Sequence, residues 1–471
     1  MKAVHCAAVD LGATTGRVIV GTWQNRRLEL AEIHRFPNRL GSIAEHDYWD
    51  LPRLWGEVRE GLSMARRSFP RLASVGVDTW GADHVLVDSG GRLVFPAHAY
   101  RDRRTRRGFN RLASGGLGRI YRATGIPNLF YNSSLQLQET VRQYPAVRKR
   151  AARCLFLPDY FNFLLSGRMT NEVSIASTSQ LLSVRGRGWS GSALRHFGLP
   201  RRWFAAPVDA GTPLGPVTGL AGLEGVQVIA VPGHDTACAF DAMPADPDGS
   251  DLYISSGTWS LVGFESETPL LGAAALRAGV SNERTGDGRF RPLMSIIGLW
   301  MLERTLLDFS SRARSGSEWS ALVAAARAEP APGSLLSIAS PAFANPRSMR
   351  AAIDAQLRRR HVAPPRRASA YVRLICDSLG KGHADALKTF ERIAGRRFRR
   401  ILIVGGGSKN SLLCQATADA AGLPVVSLRL EGSAVGNIGR QLLSLGAVKS
   451  LRELRNHLDR CLESRVYRPS R

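Results

Sequence analysis

Apolar and polar positions alternate in short bursts at the start of the chain. Residues 4–10 (VHCAAVD) form an apolar run ending in an acid, and residues 17–23 (RVIVGTW) form a second run. The polar, Gly-bounded residues 11–16 separate them, so the pair predicts a β-hairpin. After Asp50, the residues Leu51, Leu54, Trp55, Val58 and Leu62 recur at helical spacing. Asp50 can cap the free N–H groups of that helix, and Pro52 suits its first turn. Residues 72–78 (LASVGVD) predict a buried strand, again ending in an acid, with a loop over 79–83 at its carboxyl end. Residues 105–220 are mixed, and Pro207, Pro213 and Pro216 mark a loop-rich passage. Residues 226–231 (VQVIAV) predict a strand running into Pro232-Gly233-His234-Asp235-Thr236-Ala237.

A polar turn cluster, Asp246-Pro247-Asp248-Gly249-Ser250, is the expected domain boundary. Beyond it, residues 251–264 repeat the opening device of strand, Gly/Thr turn and strand. Residues 370–394 predict a long amphipathic helix carrying Val372, Ile375, Leu379, Ala386 and Phe390. A strand over 400–404 (RILIV) precedes Gly405-Gly406-Gly407-Ser408-Lys409-Asn410 and another helix. Strands alternating with helices imply an α/β architecture. Recurrence of the hairpin in each half predicts two related domains, 1–245 and 246–450, followed by a tail over 451–471 with no legible motif.

Composition narrows the class. At 471 residues the chain suits two or three domains, and 44% hydrophobic with 22% charged residues is ordinary for a globular protein. There is no run of about 18 apolar residues, and the amino terminus lacks the layout of a secretion signal, so a cytoplasmic protein without a membrane partner is expected. The cysteines (Cys6, Cys154, Cys238, Cys376, Cys414, Cys461) show no CxxC spacing and are expected as free, mostly buried thiols. The net charge of +25 is unusual, but only six of the 64 basic residues are lysine. The arginines are spread along the chain without aromatic interleaving or a recognition-helix pattern, which argues against nucleic acid. The positive field still favours anionic ligands.

Phosphates bind where backbone N–H groups converge and small residues let the backbone approach. Residues 12–16 and 255–258 both supply this, with hydroxyls at Thr14, Thr15, Ser256 and Thr258, although neither is a Walker A loop. Asp10, just before the first loop, is placed to hold Mg²⁺ through water, or alternatively to cap the turn. Asp235 follows an apolar strand, where a carboxylate can take the proton of a sugar hydroxyl attacking a γ-phosphorus; simple turn chemistry is the rival. His234 could orient such a sugar. The Gly405 to Gly407 run could support a flat nucleotide base, and a GxGxxG loop in an amino-terminal βαβ unit is absent.

Taken in order, these segments resemble the FGGY carbohydrate kinases. The matching text is VDLGATTGRV at 9–18, GVDTWGAD at 76–83, AYRDRRT at 99–105, LPDYF at 157–161, HDTA at 234–237 and SSGTWSL at 255–261. Gly298-Leu299-Trp300, Asn345-Pro346, Gly405 to Gly407 and Gly436-Asn437-Ile438-Gly439 extend it over residues 4–446. The resemblance implies two actin-like (ribonuclease H-like) ATPase domains with an active-site cleft between them, closing over substrate. It implies that Ala13, Thr14, Thr15, Gly16, Arg17 and Thr258 cradle the ATP phosphates, and that Gly406 and Gly407 lie against the base. Gly81, His234, Asp235 and Thr236 would hold a ketose, with Asp235 as the catalytic base and ATP with Mg²⁺ as cofactors. The text around Trp80 to Asp83 is most like the branch acting on L-rhamnulose; L-fuculose, L-xylulose or another small ketose is the nearest alternative, and a non-catalytic sugar or ATP sensor a further one. Ser295 and Glu303 stand where a relative is expected to carry Asn and Gln. Ser295 keeps a hydroxyl for the sugar, whereas Glu303 adds negative charge near the ATP phosphates unless an arginine such as Arg304 screens it. A monomer or small homo-oligomer is expected.

Overall fold

Both opening apolar runs pair as the pattern predicts. In the computed structural model, which describes residues 2–246, 248–310, 316–461 and 463–470, β1 (Val4–Leu11) lies antiparallel to β2 (Thr15–Gln24). Pro247 of the expected boundary turn and the thiol of Cys461 lie outside the described residues. The chain separates into two units: residues 1–244, 265–292 and 431–461 form the first, and 245–264, 293–430 and 462–471 the second.

In the first unit, β3 (Arg27–Pro37), β4 (Leu72–Thr79), β5 (Pro213–Pro216) and β6 (Gln227–Ile229) complete a sheet of order β5-β6-β4-β1-β2-β3. β1, β4 and β6 run parallel, with β2 and β3 as an antiparallel meander. β6 is shorter than the apolar run over 226–231, because the Val226 N–H closes a turn on the Leu223 carbonyl. The helix Leu51–Ser68 starts at Asp50, whose side chain accepts from the Arg53 N–H at 3.1 Å. Its Leu54, Val58 and Leu62 face Val18, Val20, Val75 and Val77 in one core. Each such buried aliphatic side chain contributes about 1.5–3 kcal/mol. A second core gathers Leu135, Leu137, Phe156, Ile175 and Trp203 from the passage that lacked a legible period.

Two later segments return to this unit. The helix Gly432–Ser444 reaches β1 and β4, where Gln441 Nε2 donates to the Ala7 carbonyl at 2.9 Å and Ser74 Oγ donates to Gln441 Oε1 at 2.7 Å. Residues after 450, expected as a tail with no legible motif, form the helix Leu451–Cys461 in this unit, and a strand, Ser464–Tyr467, that belongs to the second. The helix buries Leu454, Leu458 and the Arg455 head, but its arginines and acids obscure the apolar spacing. Arg455 donates to Glu265 Oε1 at 2.5 Å and to the Asp241 carbonyl at 2.9 Å.

The second unit repeats the meander. β7 (Asp251–Ser256), β8 (Trp259–Gly263) and β9 (Phe290–Ile297, of which Leu293 onward belongs here) are antiparallel neighbours. β10 (Arg400–Val404) and β11 (Val425–Leu428) follow β7 in parallel, and the strand Ser464–Tyr467 closes that edge. The long helix runs Ala368–Ala394 and buries Val372, Ile375, Leu379, Ala386 and Phe390 as predicted. Cys6, Cys154, Cys238, Cys376 and Cys414 are buried free thiols. Among the described residues no helix is long and apolar enough to cross a membrane.

Candidate active site

Parallel pairing of β1 with β4 sets their terminal acids, Asp10 and Asp78, side by side. Asp10 Oδ2 accepts from Arg17 Nη2 at 2.5 Å and from Ser433 Oγ at 2.8 Å. Arg17 stands directly opposite Asp10 in the hairpin, and its other nitrogen donates to Glu431 Oε2 at 2.8 Å. Asp78 is fully buried; Asn437 Nδ2 donates to its Oδ2 at 2.7 Å, while Oδ1 has no partner among the described residues. Burial first, then the negative charge of Asp10, pushes the Asp78 carboxyl well above the usual carboxylate range.

The turn between β1 and β2 is braced from outside. Gly12 N–H donates to the Thr15 carbonyl at 2.8 Å, and Asn38 donates through its backbone to Thr14 O and through Nδ2 to Gly12 O, each at 2.9 Å. Thr14 and Thr15 are exposed, Ala13 and Arg17 half-buried, and Gly16 is buried. A Cβ at Gly16 would stand 2.3 Å from the Phe36 ring, so this glycine is required by packing.

His234 and Asp235 follow β6, where the Thr79 N–H donates to the Gly233 carbonyl at 2.9 Å and ties their loop to the end of β4. Asp235 opens the helix Asp235–Ala242. Its Oδ1 accepts from the Thr236 N–H at 2.5 Å and from Thr236 Oγ1 at 3.0 Å. His234 Nε2 lies 3.5 Å from the same oxygen, and a Cβ at Gly81 would stand 3.2 Å from that nitrogen. Gly81, His234, Asp235 and Thr236 therefore meet, with Asp10 and Asp78 near enough to act on one another electrostatically. The Asp235 carboxyl is pushed above its ordinary value, by burial first and with Asp10 adding, against the attraction of His234. A carboxylate with a raised pKa is the better proton acceptor.

Two arrangements here were not legible in the sequence: Glu283 and Arg291 at all, and Asp83 in its role, although it stood in the matching text. Glu283 and Arg291 hold the outer nitrogen of His234. Asp83 accepts from Trp49 Nε1 at 2.6 Å, Trp80 Nε1 at 2.9 Å and Tyr100 N at 3.1 Å through Oδ2, and from Gln136 Nε2 at 3.0 Å through Oδ1. It pins the loop that carries Gly81, and burial pushes its carboxyl up to about 6. Asn437 and Gly436 were legible as a motif but not in role. A Cβ at Gly436 would meet the Cys238 carbonyl oxygen at 1.8 Å, so glycine is what lets this helix approach Asp235–Ala242. Small residues four apart, at Gly432 and Gly436, are the signal that could have marked that contact.

In the second unit, Thr258 is exposed at the tip of the β7–β8 turn. The turn is braced by Leu299, whose N–H donates to the Gly257 carbonyl at 2.8 Å, and by Gly298, whose N–H donates to Thr258 O at 3.2 Å. Gly405 to Gly407 lie beside the same turn, but not as a bare platform. Gly407 is buried, and a Cβ there would stand 2.1 Å from Ser256 Oγ; Gly406 is exposed, and a Cβ there would stand 3.4 Å from Leu299 Cδ1. Ser295 is exposed in β9 opposite Leu261. Glu303 is exposed in the first turn of the helix Trp300–Leu307 and has no ion-pair partner among the described residues, Arg304 included. Partial burial alone raises its carboxyl above the usual value.

No cluster of three or more His, Cys, Asp or Glu able to hold a metal occurs among the described residues. Asp10, engaged at Oδ2 by Arg17 and Ser433 and with Asp78 beside it, fits Mg²⁺ only as an ion carried chiefly by phosphates and water.

Residues 5–240 match the N-terminal domain, and residues 252–445 the C-terminal domain, of the FGGY family of carbohydrate kinases. A rhamnulokinase of Klebsiella pneumoniae (strain 342) is 40% identical over 459 residues, covering 97% of this chain and 92% of that protein. A rhamnulokinase of Enterobacter sp. (strain 638) is 38% identical over 456 residues, covering 96% and 91%. Among solved structures, a xylulose kinase from Lactobacillus acidophilus superposes with a TM-score of 0.81 at 14% identity, covering 99% of this chain and 94% of that one. A gluconate kinase from the same organism gives 0.80 at 14%, covering 100% and 94%. The structural likeness establishes the two-domain α/β fold, and with both family domains matched in order over most of its length the chain belongs to the FGGY family of carbohydrate kinases.

Proposed function

We propose that the protein transfers the γ-phosphoryl group of ATP to the 1-hydroxyl of L-rhamnulose, giving L-rhamnulose 1-phosphate and ADP. The observation that carries the reading is Asp235: a carboxylate of raised basicity at a helix start, with His234 and Gly81 beside it. The identity of near-full-length relatives named rhamnulokinase supports the choice of sugar.

Asp235 accepts the proton of the primary hydroxyl as its oxygen attacks the γ-phosphorus. The bond from that phosphorus to the β–γ bridging oxygen breaks, and ADP leaves with the bond's electron pair. His234, Thr236, Gly81 and Ser295 bind and orient the ketose. Ala13, Thr14, Thr15, Gly16, Arg17 and Thr258 hold the phosphates, and Gly406 with Gly407 borders the base. Glu303 has no ion-pair partner among the described residues and would add negative charge beside ATP, so its contribution is the weakest of the set. Mg²⁺, when bound, supplies charge neutralisation of the phosphates and would meet Asp10 through water. The reaction is assigned to the cytoplasm.

An ADP-release assay across L-rhamnulose, L-fuculose, L-ribulose, D-xylulose and glycerol tests the substrate. The highest kcat/KM is expected on L-rhamnulose, and a better rate on any other sugar removes that assignment.

A further inference from the structure

His234 extends from the end of a first-unit strand, yet the groups on its outer ring nitrogen come from residues 265–292, the segment that returns to this unit. Arg291 is fully buried, and its Nη2 donates to His234 Nδ1 at 2.7 Å and to Glu283 Oε2 at 2.7 Å. Arg291 Nε donates to the Arg284 carbonyl at 3.0 Å, which fixes the plane of the guanidinium. Glu283 Oε2 is 3.2 Å from His234 Nδ1, and its Oε1 accepts from Ser281 Oγ at 3.1 Å. A guanidinium has only N–H donors and no lone pair. Two N–H groups cannot face each other at 2.7 Å, so Nδ1 turns its lone pair to Arg291 and the proton of the neutral ring sits on Nε2.

We propose that Arg291, anchored by Glu283, is a positioning residue for the transfer reaction: against the pull of the Glu283 carboxylate on Nδ1 it fixes His234 as the Nε2–H tautomer, which donates to a ketose oxygen beside Asp235. The inference rests on the sugar-kinase reading of this loop. Its consequence is a division of labour. An Nε2 lone pair, 3.5 Å from Asp235 Oδ1, would be a rival base for the hydroxyl proton. With Nε2 protonated, His234 only donates and Asp235 alone accepts. Glu283 supplies the counter-charge that lets a guanidinium stay in so buried a place.

Nitrogen NMR of ring-labelled histidine in the full-length protein, with the His234→Asn variant to assign the signal, reads the tautomer without substrate. At neutral pH the His234 signal is expected with Nε2 protonated and Nδ1 bare. In Arg291→Met the proton is expected to move to Nδ1, facing Glu283. The KM for L-rhamnulose should rise roughly ten-fold, with the KM for ATP unchanged, and Arg291→Lys should recover part of both effects. Protonated Nδ1 in the wild type overturns the proposal, and that reading needs no variant to fold. So does a folded Arg291→Met variant with the wild-type tautomer and sugar KM. A wild-type protein that phosphorylates no ketose overturns the functional reading instead, and leaves the tautomer measurement to stand or fall by itself.

Discussion

Asp235 and Glu283 are both carboxylates near His234, and their surroundings drive them in opposite directions. Burial raises Asp235, and its Asn variant should lower kcat by at least about 10²-fold in the ADP-release assay, with near-normal turnover removing it from the proton step. Against the cost of burial, the Arg291 guanidinium holds Glu283 down to about 2. A carboxyl with a depressed folded-state pKa stabilises the fold above its unfolded value and loses that contribution as the pH falls through the folded one. Glu283→Gln should therefore cost about 3 kcal/mol at pH 7, and the gap from wild type should close between about pH 5 and pH 2 in urea titrations. Asp83, raised to about 6, has the other sign: it favours the fold below about pH 4 and loses that preference as the pH rises through about 6. Asp10, His234 and Asp235 were legible because each ends or follows an apolar run. Glu283 and Arg291 were not, since the sequence SNERTGDGRFR has the polarity of an exposed turn and nothing in it announces burial.

Hairpins and long helices were the most legible elements, because a period of two or of 3.6 residues survives in a single sequence. Glycines were legible as positions but ambiguous in purpose. Gly16 and Gly407, read as places for phosphate or base to approach, have their missing Cβ space filled by Phe36 and Ser256. Gly436 is the sharper case. Gly436→Ala drives a methyl into the Cys238 backbone and pushes the helix Gly432–Ser444 off the helix that begins with Asp235. A large fall in both turnover and thermal midpoint is expected from activity assays and calorimetry. Gly56, exposed within the helix Leu51–Ser68, has nothing within 4 Å of its added Cβ. Gly56→Ala should raise the thermal midpoint, worth up to about 1 kcal/mol, with kcat unchanged. Gly436→Ala matching Gly56→Ala in calorimetry would contradict the packing account.

At the scale of the whole molecule, the path of the chain was the least legible property. A single switch near residue 245 was expected, whereas 265–292 and 431–461 come back to the first unit. The reason is physical: docking of a helix is decided by distant partners, such as Glu265 for Arg455, which leave no local period. A fragment of residues 1–244 lacks Asn437 and Gln441, so the Asp78 carboxyl and the Ala7 carbonyl each lose a side-chain donor. It should be poorly soluble and lack fixed near-ultraviolet circular dichroism, and joining residues 265–292 and 431–461 to it should restore both. A soluble, fully ordered fragment would show that the returning segments are dispensable.

That returning path also fixes when the first unit can finish folding during synthesis. Residues 1–244 leave the ribosome long before Asn437 exists, and at about 5–20 residues per second the wait is roughly 10–40 s. For that interval the ends of β1 and β4, with Asp78 on the latter, are open to chaperones and to premature pairing. Slowing elongation over residues 245–430 should therefore lower the yield of active enzyme without altering a single side chain.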